Sequence, residues 1–141
     1  MEKILTILFL FMPFFSKSQD TILITRFLSS KQLVEQYSVL KADKTIKHGA
    51  YTLYFSLNTA QLKNVKQGLA KMKDFIKVSG FYENGKKVGK WNTFSEPHHL
   101  KTKEIYNTDK KIGIWEIFQE NGIVVERYDY DINEVLEPIF M

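Results

Sequence analysis

The residues able to do chemistry are few and poorly placed for it. The chain has no cysteine, so disulfides, thiolate metal sites, cysteine nucleophiles and an acyl anchor on an N-terminal cysteine are all excluded. His98-His99 is the only histidine pair. Adjacent residues on a strand face opposite ways and cannot chelate one ion together. They follow Glu96-Pro97, in what reads as a loop, so they belong to the surface. His48 reads as a strand-end residue. Asp129 and Asp131 share a strand face, but calcium requires more oxygens at loop spacing. Gly49, Gly89 and Gly113 recur with no phosphate-loop spacing around them. A structural reason suffices for them, a bulge or an aromatic ring laid over the backbone. No catalytic, cofactor-binding or metal-ligating residue is expected, and the chain is read as not an enzyme.

What remains is an aromatic set, Tyr51, Tyr82, Trp91, Tyr106 and Trp115. These side chains either pack across strands as core or, where a single layer leaves them uncovered, form a partner surface beside lysines. Carbohydrate, peptide and lipid headgroup are all compatible with such a surface.

The elements that would position this set form an internal repeat. Residues 76–95 written over residues 100–119, at an offset of 24, place Tyr82 on Tyr106, Lys86-Lys87 on Lys110-Lys111, Val88-Gly89 on Ile112-Gly113, Trp91 on Trp115 and Phe94 on Phe118. Trp91 and Trp115 are the only two tryptophans in the chain. A weaker copy at residues 46–55 places Gly49 on Gly89, Tyr51 on Trp91 and Tyr54 on Phe94, after an offset of 40. The polar, lysine-rich residues 58–73 read as an insert with room for a short helix. Tyr128-Asp129-Tyr130 opens a further, incomplete unit.

Each unit reads as a hairpin. Asn84-Gly85 between apolar runs is a type I′ turn signal, which pairs Phe81 with Val88 and, continued, Val78 with Trp91. Asn121-Gly122 likewise places Trp115 opposite Tyr128 and Glu116 opposite Arg127. The turn at Asn107-Thr108-Asp109-Lys110 lacks glycine and is expected to be longer, because threonine disfavours the left-handed region. If it is tight, Thr102 falls opposite Trp115 and bridges the two tryptophans about 10 Å apart, two strand spacings. Ile22–Leu28 and Leu33–Leu40 read as strands around a Ser29-Ser30 turn. Glu134 to Glu137, before Pro138, reads as one helical turn. Trp91 and Phe94, Trp115 and Phe118, and Tyr51 and Tyr54 are each three apart. That spacing requires either apolar cover on both faces or a bulge between them.

The expected fold is therefore all-β, an antiparallel meander of consecutive β-hairpin repeats forming a twisted open sheet. The stretch Tyr82-Glu83-Asn84-Gly85-Lys86-Lys87-Val88-Gly89-Lys90-Trp91, with Phe94, resembles the MORN-repeat-variant pattern of exported proteins in Bacteroidetes-type bacteria, shared by YwqK-type antitoxin proteins. Tyr106 to Phe118 matches it with Asp109 in place of the turn glycine. The resemblance spans about residues 35–130. It implies a sheet of hairpins used for interaction rather than catalysis.

The first eighteen residues have the layout of a secretory signal peptide. A charged start at Glu2-Lys3 leads into the apolar run Ile4–Phe15, then Ser16-Lys17-Ser18, with cleavage expected before Gln19. An apolar run of about twelve residues is shorter than the ~20 a bilayer span requires. The remainder, 19–141, is expected as a single repeat domain, periplasmic or secreted, with no stable transmembrane segment after cleavage. The formal charge is +4 for the whole chain. Lysines interleave with acids, as at Lys103-Glu104, which argues against nucleic acid as a partner. The expected function is a non-enzymatic binding or scaffold module in the cell envelope or outside the cell, with a protein or envelope component as partner. The alternative is an antitoxin-like neutraliser of a protein toxin.

Overall fold

The structure, a computed structural model, describes residues 19–28 and 32–137. The signal-peptide segment 1–18, the Ser29-Ser30 turn and Pro138 lie outside the described residues. The elements are β1 (Thr21–Phe27), β2 (Leu33–Leu40), β3 (Lys47–Tyr54), α1 (Thr59–Lys66), a 3-10 turn (Met72–Phe75), β4 (Ile76–Glu83), β5 (Lys86–Glu96), β6 (His99–Asn107), β7 (Lys110–Lys111), β8 (Ile114–Phe118), β9 (Val124–Asp129) and β10 (Glu134–Leu136). All strands join one antiparallel sheet in chain order, and β7 and β8 both pair with β6. The sheet is open, a meander of consecutive hairpins. No helix among the described residues is long and apolar enough to cross a membrane.

The insert at 58–73 contains α1. Its start is a capping box, in which the Gln61 amide donates to Asn58 Oδ1 and the Asn58 amide to Gln61 Oε1, both at 2.9 Å. None of its residues is buried, so it does not form a second layer. The segment at Glu134 is not a helical turn but strand β10, paired with β9. Residues 134–136 gain a hydrogen-bonded neighbour there, which an isolated turn does not have.

The two tight hairpins obey local chemistry. Asn84 and Gly85 both have positive φ, 48° and 82°, as a type I′ turn requires. The glycine-free turn is equally tight, with Asn107 paired to Lys110 and φ values of 54° at Thr108 and 65° at Asp109. The expected longer loop is corrected by contacts from outside the hairpin. The Asp109 amide donates to the Lys87 carbonyl at 3.0 Å, and the Lys87 amide donates to Asp109 Oδ1 at 2.7 Å. These bonds offset the strain of two L-residues in the left-handed region. The first turn docks the same way, Gly85 N–H on the Lys47 carbonyl at 2.7 Å. Each hairpin tip is thus fastened to the preceding unit.

Register beyond the turns follows a rule not evident from any one turn. Phe81 faces Val88 as expected, but Val78 faces Thr93 rather than Trp91. Between Ser79/Asn92 and Phe81/Val88 the second strand carries two more residues than the first. The same two-residue slip separates Tyr37/Tyr51 from Val39/Lys47, and Lys103/Glu116 from Tyr106/Lys111. Gly49, Gly89 and Gly113 lie inside these three slips, with φ of 112°, 64° and 59°. The recurring glycine is therefore a bulge residue, in a backbone region that a β-carbon disfavours.

The aromatic residues spaced by three face opposite sides. At Leu53/Tyr54, Thr93/Phe94 and Ile117/Phe118 the extra residue lies in the neighbouring strand, so alternation in the aromatic strand is intact. Tyr51, Trp91 and Trp115 occupy one face, and Tyr54, Phe94 and Phe118 the other. Among the described residues the buried apolar side chains are only Val39, Leu57, Phe75 and Trp91, as expected where one sheet has no second layer to cover it.

Candidate functional site

The site is the face that carries Tyr51, Trp91 and Trp115. Cross-strand neighbours on an antiparallel pair stand close enough for large rings to touch. The meander uses this from β3 through β8 and on to Tyr130, just past β9. Ring centroids run Tyr51–Tyr82 at 5.6 Å, Tyr82–Trp91 at 5.0 Å, Trp91–Tyr106 at 6.3 Å, Tyr106–Trp115 at 5.3 Å, Trp115–Tyr130 at 4.8 Å and Tyr130–Tyr128 at 4.5 Å. All five aromatic residues expected from the sequence thus lie in one unbroken ladder, and Tyr128 and Tyr130 of the incomplete last unit extend it. Pairs of this kind contribute about 0.5–1.5 kcal/mol each beyond their buried area.

The bridge between the two tryptophans is Tyr106, not Thr102. Thr102 faces Ile117, because the slip at Gly113 moves the pairing by two residues. Trp91 is the buried member, 3 % exposed, and the other four expected residues are half-buried. Its indole lies over Gly80, where an added β-carbon would be 2.1 Å from Trp91 Cδ2. The aromatic laid over glycine therefore exists, but at Gly80 rather than at the recurring glycine of each repeat. Trp115 has another posture, with its indole N–H donating to the Ile105 carbonyl at 3.2 Å.

Three lysines sit on the ladder, and the sequence reading did not single them out as a set. Lys47 Nζ lies 4.6 Å from the Tyr51 centroid, Lys87 Nζ 4.4 Å from Trp91, and Lys111 Nζ 4.2 Å from Trp115. A lysine two residues before the bulge glycine is the signal, present as Lys47-His48-Gly49, Lys87-Val88-Gly89 and Lys111-Ile112-Gly113. The bulge brings that lysine over the ring two residues past the glycine. Such contacts contribute about 0.5–1 kcal/mol at exposed positions.

The first lysine is also ion-paired. Glu35, 6 % exposed, accepts from Arg26 Nη1 at 2.6 Å and lies 3.6 Å from Lys47 Nζ. Burial by itself would raise the Glu35 carboxyl. Hydrogen bonds from Tyr51 and Arg26, with the charge of Lys47, outweigh burial and hold it below its ordinary value of 4.5. Tyr51 is pushed up in turn, by burial first and then by Glu35. Tyr106 is pushed up to about 12 by burial and by Glu104. A carboxylate held low contributes stability that is complete above its unfolded pKa and is lost as pH falls through its folded one. Denaturation midpoints should therefore drop as pH falls below about 4.5, and Glu35→Gln should flatten that acid limb. An acid limb in Glu35→Gln that overlays wild type would show that Glu35 contributes nothing to it.

The remaining candidates stay apart from this face's ladder. His98 occupies the β5–β6 turn at φ 68°, and His99 Nδ1 lies 3.5 Å from Glu96 in an exposed pair. His48 Nδ1 accepts from the Asn84 amide at 3.2 Å, a strand-end role. Asp129 Oδ1 accepts from the Asp131 amide at 2.9 Å, closing a local turn. Among the described residues no group of three or more histidine or acidic side chains is placed to hold a metal.

No family model matches the chain, and no curated protein or solved structure matches it.

Proposed function

We propose that this chain is an exported, non-enzymatic binding or scaffold module, acting in the cell envelope or outside the cell, with a protein or another envelope component as its ligand. The observation that carries this reading is the ladder of rings, half-buried except for the buried Trp91, overlaid by Lys47, Lys87 and Lys111. It runs across the strands of a sheet whose only α-helix among the described residues, α1, buries none of its residues. Rings that expose both an apolar face and a charged neighbour are the usual currency of recognition surfaces. Lys87 and Lys111 have no carboxylate within ion-pair distance among the described residues, so their charge is available to a ligand. Export rests on the leader-like residues 1–18, and the resemblance to MORN-repeat-variant proteins belongs to the same proposal.

Two measurements test it. Mass spectrometry of protein recovered from the envelope or medium should give Gln19 as its N-terminus. The chain from Gln19, immobilised in envelope extract, should retain a partner that Lys87→Ala/Lys111→Ala releases roughly three- to tenfold more readily, two exposed charge contacts with a ligand being worth about 0.3–0.7 kcal/mol each. That variant should stay folded but melt roughly 5–10 °C lower, because it also loses two lysine–ring contacts of about 0.5–1 kcal/mol each. A monodisperse protein that retains nothing, or an unprocessed N-terminus in the cytosol, would overturn the reading.

A further inference from the structure

The two tryptophan slots differ in what lies beneath them. In the first repeat Trp91 lies on Gly80. One repeat later, at an offset of 24, the same slot holds Glu104. A side chain there denies Trp115 that pose. The indole turns to the Ile105 carbonyl instead, and the face is left open beside it. The opening is a cavity of about 180 Å³, lined among others by Thr102, Glu104, Trp115, Glu126, Tyr128 and Tyr130.

We propose that this cavity binds an organic ammonium cation, a quaternary or alkylated ammonium group. Three aromatic rings and three glutamates line it; Glu116 is ion-paired to Lys103 and Arg127, which leaves Glu104 and Glu126 as the two carboxylates facing a ligand. Ring faces carry negative potential, and attract cations most strongly where the cation is poorly hydrated. The Trp115–Tyr130 pair already draws one ammonium, since Lys111 Nζ lies 4.2 Å and 5.1 Å from their centroids. The Lys111 ammonium is held at the cavity's edge, donating to Tyr130 Oη at 3.2 Å, and does not line the cavity. Glu104 is fixed in place, accepting from Thr102 Oγ1 at 3.0 Å and from Tyr106 Oη at 3.2 Å. Among the described residues neither Glu104 nor Glu126 has a lysine or arginine within ion-pair distance, so both keep their charge for a ligand. Two carboxylates amid rings do not suit a hard divalent ion, which takes six or more oxygens. They suit a cation that has methyl groups to lay on the rings.

The inference rests on reading the chain as a binding module, and names the ligand chemistry at one end of its aromatic face. Tetramethylammonium chloride titrated into the chain from Gln19 should give a saturable change in tryptophan emission that equal sodium chloride does not. Trp115→Phe should remove the change, which assigns it to this slot rather than to Trp91. Glu104→Gln/Glu126→Gln should weaken binding by roughly five- to thirtyfold, the equivalent of ~1–2 kcal/mol. Because Glu104 also accepts two internal hydrogen bonds, Glu126→Gln alone provides a variant at an exposed position, with a weakening of at least threefold expected. Choline and phosphatidylcholine vesicles distinguish sources. Co-sedimentation with vesicles that choline competes away places the cation on a headgroup, and choline binding without co-sedimentation places it on a soluble ligand. Equal responses to sodium and tetramethylammonium, or wild-type affinity in the Gln variants, would overturn the proposal. Envelope capture that fails while tetramethylammonium binds would sink the broader reading and leave the cavity standing.

Discussion

Trp91→Ala should cost about 3–5 kcal/mol in equilibrium denaturation, the range for removing a large buried aromatic side chain. Trp91 is 3 % exposed and sits at the centre of the ladder, touching the rings of Tyr51, Tyr82 and Tyr106, with Lys87 above it. A total stability of ~5–15 kcal/mol is typical of a domain. At the lower end of that range a loss of this size would leave much of the population unfolded. Trp91→Phe should cost markedly less. It keeps most of the buried area and removes an indole N–H that has no acceptor among the described residues. Trp115→Ala should cost less than Trp91→Ala, because Trp115 is only half-buried. A Trp91→Ala curve that overlays wild type would remove Trp91 from the core and make it part of the ligand surface.

The second large effect is expected at a residue with no side chain. Gly80→Ala would place a β-carbon 2.1 Å from Trp91 Cδ2, well inside contact distance. The indole must swing off the strand or the strands must part. The cost should lie between about 1–3 kcal/mol, typical of overpacking, and the full price of losing Trp91. A double-mutant cycle separates this from a backbone effect. With Trp91 already alanine the clash is gone, and alanine is a better strand residue than glycine by roughly 0.5–1 kcal/mol. Gly80→Ala should then be neutral or stabilising. If it costs as much in the Trp91→Ala background as in wild type, the tryptophan is not what Gly80 accommodates.

Much of this architecture is legible in the chain because it is local. Asn84-Gly85 selects a type I′ turn whatever surrounds it, and Phe81 facing Val88 follows from the turn alone. The hairpin at Asn121-Gly122 brings Trp115 to Tyr128 and Glu116 to Arg127 for the same reason. The 24-residue offset carries the meander, since identical units with short turns can only pair in chain order. Two tryptophans in one slot put them on one face. Alternation puts Phe94 and Phe118 on the other.

What the tertiary structure alone decided lies wherever one unit meets the next. A glycine in a strand is compatible with several backbones, and only its neighbours select the bulge that slips Val78 to Thr93 and Thr102 to Ile117. Thr108-Asp109 has poor intrinsic turn chemistry. It closes tightly because Asp109 finds Lys87 in the preceding hairpin, a contact that propensity cannot anticipate. Glu134–Leu136 is too short to declare a strand by itself, and takes its form from β9. The lysines reach the rings only once the bulge has aimed them, and Gly80 acquires its role only when Trp91 arrives from another strand. The sequence by itself therefore determined the hairpins, their order and the residues of the ladder, because turns and alternation act over a few residues. The depth of burial along the ladder, the lysines above it and the open slot at Glu104 were decided by the sheet, because each depends on side chains brought together from strands far apart in the chain.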